Sequence, residues 1–490
     1  MTSESNTFFA TQAWVQGAWA FDVLLAVDTN GHWSQVQANT PADQRVGAQI
    51  LSGPVLPGVV NAHSHAFQRA IAGLTERRTD PQARVPERSA SCPPPALRAP
   101  PSPAQNAQPP RLPPIGDNFW TWRDKMYSAA LRIGPDQLEA IATQLYTELL
   151  QGGYTQVCEF HYLHNDLNGA PYADPAEMPL ALVRAAQRTG IGLTLLPTLY
   201  MRAGFAEPSL RDDQRRFAST PESIARIVES VLRQTGGDAR IQLGVALHSL
   251  RAVSPPALQS LADYAQAAAL PVHIHIAEQT QEVDDCLIHT GQRPIEWLLD
   301  HAAVDARWNL VHATHTTAAE LAGVQARGAS IVICPSTEAN LGDGVFNLPG
   351  YAALRGAWSI GSDSHVTRAW TEELRLLEYA QRLALRQRNI AAQACGTQST
   401  AAALLQGALA GGAAASGCAL AGLAVGQRAD FVTLPPDAQA LLGIASDYVL
   451  DALLFSSPSP AMQQVVVAGQ VLPLQAQSGN FVQAMRTLWA

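Results

Sequence analysis

The chain has 490 residues, of which 47% are hydrophobic and 15% charged. That is enough apolar material for a large core, and it excludes a chain disordered throughout. A net charge of −9 and a pI near 5.8 argue against nucleic acid or an anionic membrane as a partner.

Six cysteines lie far apart with no Cys-x-x-Cys pair, which excludes a zinc ribbon and a disulfide scaffold and fits a reducing, cytoplasmic setting. Lys125 is the only lysine among 32 basic residues. A Walker-type phosphate loop is therefore excluded, and Schiff-base chemistry would have to use that one residue.

The opening stretch, MTSESNTFFATQAW, has neither a basic n-region nor a long apolar h-region, so no secretory signal is expected. Trp14–Trp19, Val23–Asp28 and Trp33–Val36 are predicted as short strands between Gly and Asn turns. A run at Val55–Asn61 leads into His63-Ser64-His65. Residues 77–115 are different: twelve prolines fall within residues 81–115, with almost no large apolar side chain. Such a segment cannot pack a core and is predicted to be a disordered or extended surface insertion.

Strand and helix patterns then alternate. Strands are predicted at Val55–Asn61, Thr155–Glu159, Gly192–Leu199, Ile241–Ala246, Val272–Ile276, Trp308–His312, Ser330–Cys334 and Ala357–Ser362. Helical periodicity lies between them at Pro135–Gln151, Met178–Thr189, Pro221–Gln234 and Pro256–Ala269. Eight such units predict an α/β fold, a (β/α)8 barrel, rather than a doubly wound sheet. The nearly uncharged stretch Thr400–Gly426 is too rich in Ala and Gly for a membrane span and is predicted as a buried helix and turn. Asp430–Leu434 and Gln463–Val471 return to strand. Residues 1–56 and 425–490 are expected to pair into one small β-sandwich beside a barrel of residues 57–424.

The chemistry gathers at predicted strand ends, which converge on one face of such a barrel. His63 and His65, His248, His275, His312 and Asp363 all stand there. In an extended strand residues i and i+2 point the same way, so His63 and His65 can face one metal. A third imidazole, His275, and a carboxylate, Asp363, would complete a site suited to one Zn2+, with Fe2+ as the alternative. A metal there would lower the pKa of its water.

Glu278, three residues after His275, is placed to move a proton, and His312 to polarise a tetrahedral centre. His315 lies beyond its strand and is the weaker candidate. His273 is read as packing or orienting a neighbour. Glu159, His161 and His164 are read as structural, and Asp284-Asp285 as a solvated helix face. The guanidinium of Arg251 suits a substrate carboxylate, with a salt bridge to a loop acid as the other reading.

These motifs resemble the amidohydrolase superfamily: Pro57-Gly-Val-Val-Asn-Ala-His-Ser-His65, His275-Ile-Ala-Glu278, His312, Ser362-Asp363 and the late Gly426-Gln-Arg-Ala-Asp430. Binuclear members use a carboxylated lysine; Lys125 lies outside every predicted strand, so the resemblance points to the mononuclear deaminase branch. Five further segments resemble the members of that branch that act on N-formimino-L-glutamate. They are His63–Ala70, Phe119–Tyr127, Glu159–His164, His248–Val253 and Gly361–His365.

The resemblance implies a hydrolase that releases ammonia from that substrate to give N-formyl-L-glutamate, in histidine degradation. By this resemblance His63, His65, His275 and Asp363 hold Zn2+. Glu278, His312 and Asp363 handle protons and polarisation. Gln68, Tyr127, His248 and Arg251 bind an acidic small molecule. A homodimer is expected by analogy with such barrels. The alternatives are a deaminase of guanine, cytosine or a related heterocycle, and a non-catalytic barrel scaffold.

Overall fold

The computed structural model describes residues 7–77, 118–456, 458, 460–475 and 478–489. Apart from Arg77, the proline-rich insertion expected at 77–115 lies outside the described residues.

The two chain ends build one eight-stranded sheet. Thr7–Val15 pairs antiparallel with Ala18–Val27, which pairs with Trp33–Gln37. Gln49–Leu51 and Val55–Pro57 join the first strand, and Val55–Pro57 hands the sheet on to Phe431–Thr433, Gln464–Val467 and Gln470–Val471. Phe8, Val23, Leu25, Trp33, Phe431 and Val466 form a core on this sheet.

Three sequence expectations change here. Trp14–Trp19 is not one strand but the facing ends of two, joined by a turn at Gln16 and Gly17, whose φ values are 49° and 88°. Two consecutive positive φ values match the twist of the flanking strands, and Gly supplies one at no steric cost. Trp14 and Trp19 face each other across the hairpin, rings 5.2 Å apart. Second, Val55–Asn61 is two strands. Val55–Pro57 belongs to the terminal sheet and Val59–Ser64 to the barrel. Third, the C-terminal segment contains helices Val449–Phe455 and Gly479–Trp489 as well as strands.

The barrel strands run parallel in chain order: Val59–Ser64, Tyr154–His161, Gly192–Leu199, Val245–Leu247, Val272–Ile276, Trp308–His312, Ser330–Ile333 and Ala357–Ile360. Their side chains are almost wholly buried, as expected where helices cover a parallel sheet. The ring closes between first and last strands. Ser64 bridges to Asp363, the Asp363 amide donates to the His63 carbonyl at 3.0 Å, and the Ser362 amide donates to Asn61 Oδ1 at 2.9 Å.

The charge-poor stretch forms helix Thr400–Ser416, laid against this seam. A Cβ on Gly411 would stand 2.0 Å from the Trp358 carbonyl oxygen, so glycine sets that close approach. Among the described residues no helix is long and apolar enough to cross a membrane.

Candidate active site

The first strand ends in His63-Ser64-His65, and its period of two aims both imidazoles inward. His275 comes from the fifth strand and Asp363 from the turn after the eighth. The three Nε2 atoms converge: His63 to His65 at 3.1 Å, His65 to His275 at 3.3 Å, and His275 to His63 at 3.0 Å. Asp363 Oδ1 lies 3.5 Å from His63 Nε2 and 3.4 Å from His65 Nε2.

The opposite nitrogens fix two of these rings. His65 Nδ1 donates to the Phe160 carbonyl at 2.8 Å and His275 Nδ1 to the His248 carbonyl at 2.9 Å. Each Nδ1–H so placed leaves the Nε2 lone pair facing the others. Burial first, then neighbouring imidazoles, hold His63 and His275 well below the usual histidine range; burial also lowers His65, against the pull of Asp363. Three neutral imidazoles with converging lone pairs repel one another unless a cation sits among them. Their spacing matches that of ligands about 2.0–2.1 Å from one tetrahedral ion. The donor set therefore fits a divalent metal.

Around this group the backbone departs from ordinary strand geometry. Ala277, His312, Ala313, Asp363 and His365 have φ between 46° and 69°. Left-handed non-glycine residues of this kind concentrate at functional sites, where the surrounding fold holds them. Glu282 holds one such turn by accepting from the amides of Ala277 and Glu278 at 3.1 and 3.0 Å.

His312 Nε2 stands 3.8 Å from both Glu278 Oε1 and Asp363 Oδ2, and its Nδ1 meets Glu338 Oε1 at 3.3 Å. Burial opposes its charge, but the Glu278 carboxylate, Cys334 and Glu338 outweigh it and raise the ring well above the usual histidine range. Burial pushes the Glu278 carboxyl up to about 7.

One cavity is lined by His65, His275, Glu278, His312 and Asp363, and also by Gln68, Tyr127, His248 and Arg251. His63 lies fully buried beneath it. The structure thus brings every sequence-predicted site residue together. Arg251 forms no ion pair within 4 Å among the described residues, so the loop salt bridge considered for it is absent there.

The residues expected to be structural stand elsewhere. His273 Nε2 donates to the Ala415 carbonyl, and His164 Nε2 to the Thr198 carbonyl. Glu159 pins the turn after the first strand by accepting from Ser64 Oγ and the Ala66 amide. Lys125 sits on helix Phe119–Ala130 and donates to the Leu74 carbonyl.

An amidohydrolase family model matches residues 55–472. The chain belongs to the amidohydrolase family. It is 43% identical over 95% of its length, and 94% of the relative's, to formimidoylglutamate deiminase of Pseudomonas aeruginosa. Its fold matches that of an amidohydrolase from Brucella melitensis with a TM-score of 0.85 at 39% identity, covering 99% of this chain and all of that one. A zinc-bound adenosine deaminase from Xanthomonas campestris, at 21% identity, shares the fold with a TM-score of 0.74 over 98% of this chain and 97% of its own.

Sequence reasoning missed part of this amidohydrolase cavity. Phe119, Trp122, Arg123 and Met126 line it from helix Phe119–Ala130, together with Tyr162 and Leu341. Gln214 was missed too. Its Oε1 accepts from the Arg211 amide at 3.0 Å, which fixes the amide's orientation. Its Nε2 then donates to Tyr127 Oη at 3.2 Å and Tyr200 Oη at 2.9 Å. With the phenols 3.3 Å apart, one of the two hydroxyl hydrogens is spent between them and the other is left for a further acceptor. The available signal was the segment Phe119–Tyr127, of which only Tyr127 was singled out.

Proposed function

We propose that this chain hydrolyses N-formimino-L-glutamate to N-formyl-L-glutamate and ammonia. The observation that carries the reading is one cavity joining a metal-type His/His/His/Asp group, the Glu278–His312 pair and an Arg251 guanidinium with no ion-pair partner within 4 Å among the described residues. The relative named for this reaction supports it.

His63, His65, His275 and Asp363 would hold one Zn2+ per subunit, with Fe2+ the alternative; when bound, such an ion acidifies a water. Glu278 takes the proton from the attacking water and delivers it to the departing nitrogen. Its carboxyl, held up to about 7, is suited to accept and then to give.

His312, between Glu278 and Asp363 and backed by Glu338, carries positive charge towards the developing tetrahedral centre. The C–N bond to the imino nitrogen breaks, water supplies the formyl oxygen, and ammonia leaves. Gln68, Tyr127, His248 and Arg251 hold the glutamate portion. Gln68 Oε1 is buried without a partner and so remains ready to accept. We take a cytoplasmic homodimer as the working assembly, by analogy with such barrels.

Among heterocycle deaminases, stacking aromatics and amides are the expected recognition groups. The aromatics here are partly engaged with one another, Phe119 stacking on Trp122 at 6.2 Å. The test is ammonia release from purified, zinc-loaded protein given N-formimino-L-glutamate, N-formimino-glycine, guanine and cytosine. Fast turnover of the glutamate compound alone is expected; turnover of a heterocycle instead would overturn the substrate assignment.

A further inference from the structure

We infer that Glu282 is a positioning residue for the proton transfer: its carboxylate aims Glu278 by gripping that residue's backbone and leaving its side chain free. The inference rests on the reading of Glu278 as the proton carrier and deepens it.

A carboxyl that takes a proton and then gives it up cannot be tied in either state, because each hydrogen bond to it favours one state over the other. Glu278 meets this condition. Among the described residues no hydrogen bond reaches its carboxylate, and His312 Nε2 stands 3.8 Å from its Oε1. The aim of the side chain must then come from the backbone that carries it.

That backbone is constrained. Ala277, one residue earlier, has a φ of 52°, which a residue with a Cβ keeps only where its surroundings hold it. Glu282 supplies the hold: the Ala277 amide donates to its Oε1 at 3.1 Å and the Glu278 amide to its Oε2 at 3.0 Å. Glu282 is the third residue of helix Thr280–Thr290. A glutamate there ordinarily reaches back to the amide of the capping residue, here Gln279. Glu282 reaches past it to the two amides before, so helix capping does not account for its geometry. It is buried, and among the described residues these two amides are its only hydrogen-bond donors.

The same turn is joined to its neighbour. The His315 amide donates to the Ala277 carbonyl at 3.0 Å, and the Ala313 amide to the Ile276 carbonyl at 3.1 Å. His312 immediately precedes Ala313. The grip on Ala277 and Glu278 therefore bears on the spacing of the Glu278–His312 pair as well.

The test is steady-state kinetics on Glu282→Gln, Glu278→Gln and the double variant, with zinc content and Tm measured beside them. The substrate is whichever of the four compounds above the wild type turns over fastest. Glutamine keeps the shape but offers one oxygen and one NH2 group, so one of the two amides loses its acceptor. In Glu282→Gln kcat should fall about a hundredfold, as displacement of a reacting group by about 1 Å does, with KM within about threefold and zinc content unchanged. In the Glu278→Gln background the same substitution should cost less than about threefold, because no proton carrier is left to aim. If Glu282→Gln does not fold, Ala277→Gly is added to it, with Ala277→Gly alone as the reference. Glycine takes the left-handed backbone without strain, and the loss of kcat should remain.

An unchanged kcat in Glu282→Gln would overturn the inference. So would a hundredfold cost repeated in the Glu278→Gln background, which is the behaviour of a residue that only supports the fold. Near-normal turnover by Glu278→Gln would remove the proton carrier and Glu282 with it, whereas the expected loss in Glu278→Gln beside an unchanged Glu282→Gln would remove Glu282 alone. A wild type silent on all four compounds would overturn the reaction and this inference together.

Discussion

The floor and the wall of the cavity are built in different ways. The floor is backbone-determined: His63, His65, His275, His312 and Asp363 hang from strand ends whose positions the barrel dictates. The wall is side-chain-determined: Arg123 and Tyr127 stand on a helix, Gln214 on the 3-10 segment Asp212–Phe217, and Arg216 ties that segment to the carbonyls of Asn165, Asp166, Ala130 and Ile133. Under the proposed roles, the difference ties reaction chemistry to the sheet and substrate choice to a network between loops.

Substitutions on the two sides should therefore fail differently. Glu278→Gln, in the turn just past the floor strand Val272–Ile276, should lower kcat by about a thousandfold or more with KM little changed and metal content intact by elemental analysis. Near-normal turnover would remove Glu278 from proton transfer. Arg251→Met, on the wall, should lower kcat/KM by about a hundredfold, mostly through KM; an unchanged kcat/KM would break the clamp.

Gln214→Leu touches no ligand but releases the phenol of Tyr127 from its set direction. We expect kcat/KM to fall about tenfold, with a pH profile of kcat unlike that of Glu278→Gln because the proton-transfer pair is untouched. A profile altered as in Glu278→Gln would merge the two regions.

The smallest expected effect lies behind the floor, at Glu373. Burial first, and then the charges of Glu338 and Asp363, push its carboxyl up to about 8, although it accepts from the Ser336 amide and hydroxyl at 2.9 and 2.6 Å. A raised folded-state value means that the neutral acid is the native form. Its stabilisation is full below the ordinary value of 4.5 and is lost as pH rises towards about 8. Glu373→Gln mimics the neutral acid, so its Tm should drop less than that of the wild type by a few degrees between pH 5 and 8. Parallel curves would show that Glu373 is charged in the fold.

The same division explains what was legible in the sequence. Strand period and strand ends are local properties, so Gly192–Leu199, Val272–Ile276 and Trp308–His312 have the bounds the pattern predicts, and the residues of the floor stand out by position. Gln214 carries no such mark. Its meaning comes from partners 87 and 14 residues away. Even the local pattern misleads where an apolar run crosses between sheets, as at Gly58: a Cβ there would meet Thr155 Oγ1 at 2.3 Å, and the chain passes from one layer to the next without a polar residue to mark it.

The seam of the ring lies between Ser64 and Asp363, and the groups suited to a cation lie on both sides of it: His63 and His65 on one lip, Asp363 on the other. An ion held by all three would be a clasp on a band whose lips otherwise meet through a few hydrogen bonds and through helix Thr400–Ser416 packed against both. Loading the site and shutting the barrel would then be coupled. A chain still folding has little claim on the ion until its first and last strands, some 300 residues apart along the sequence, have found each other.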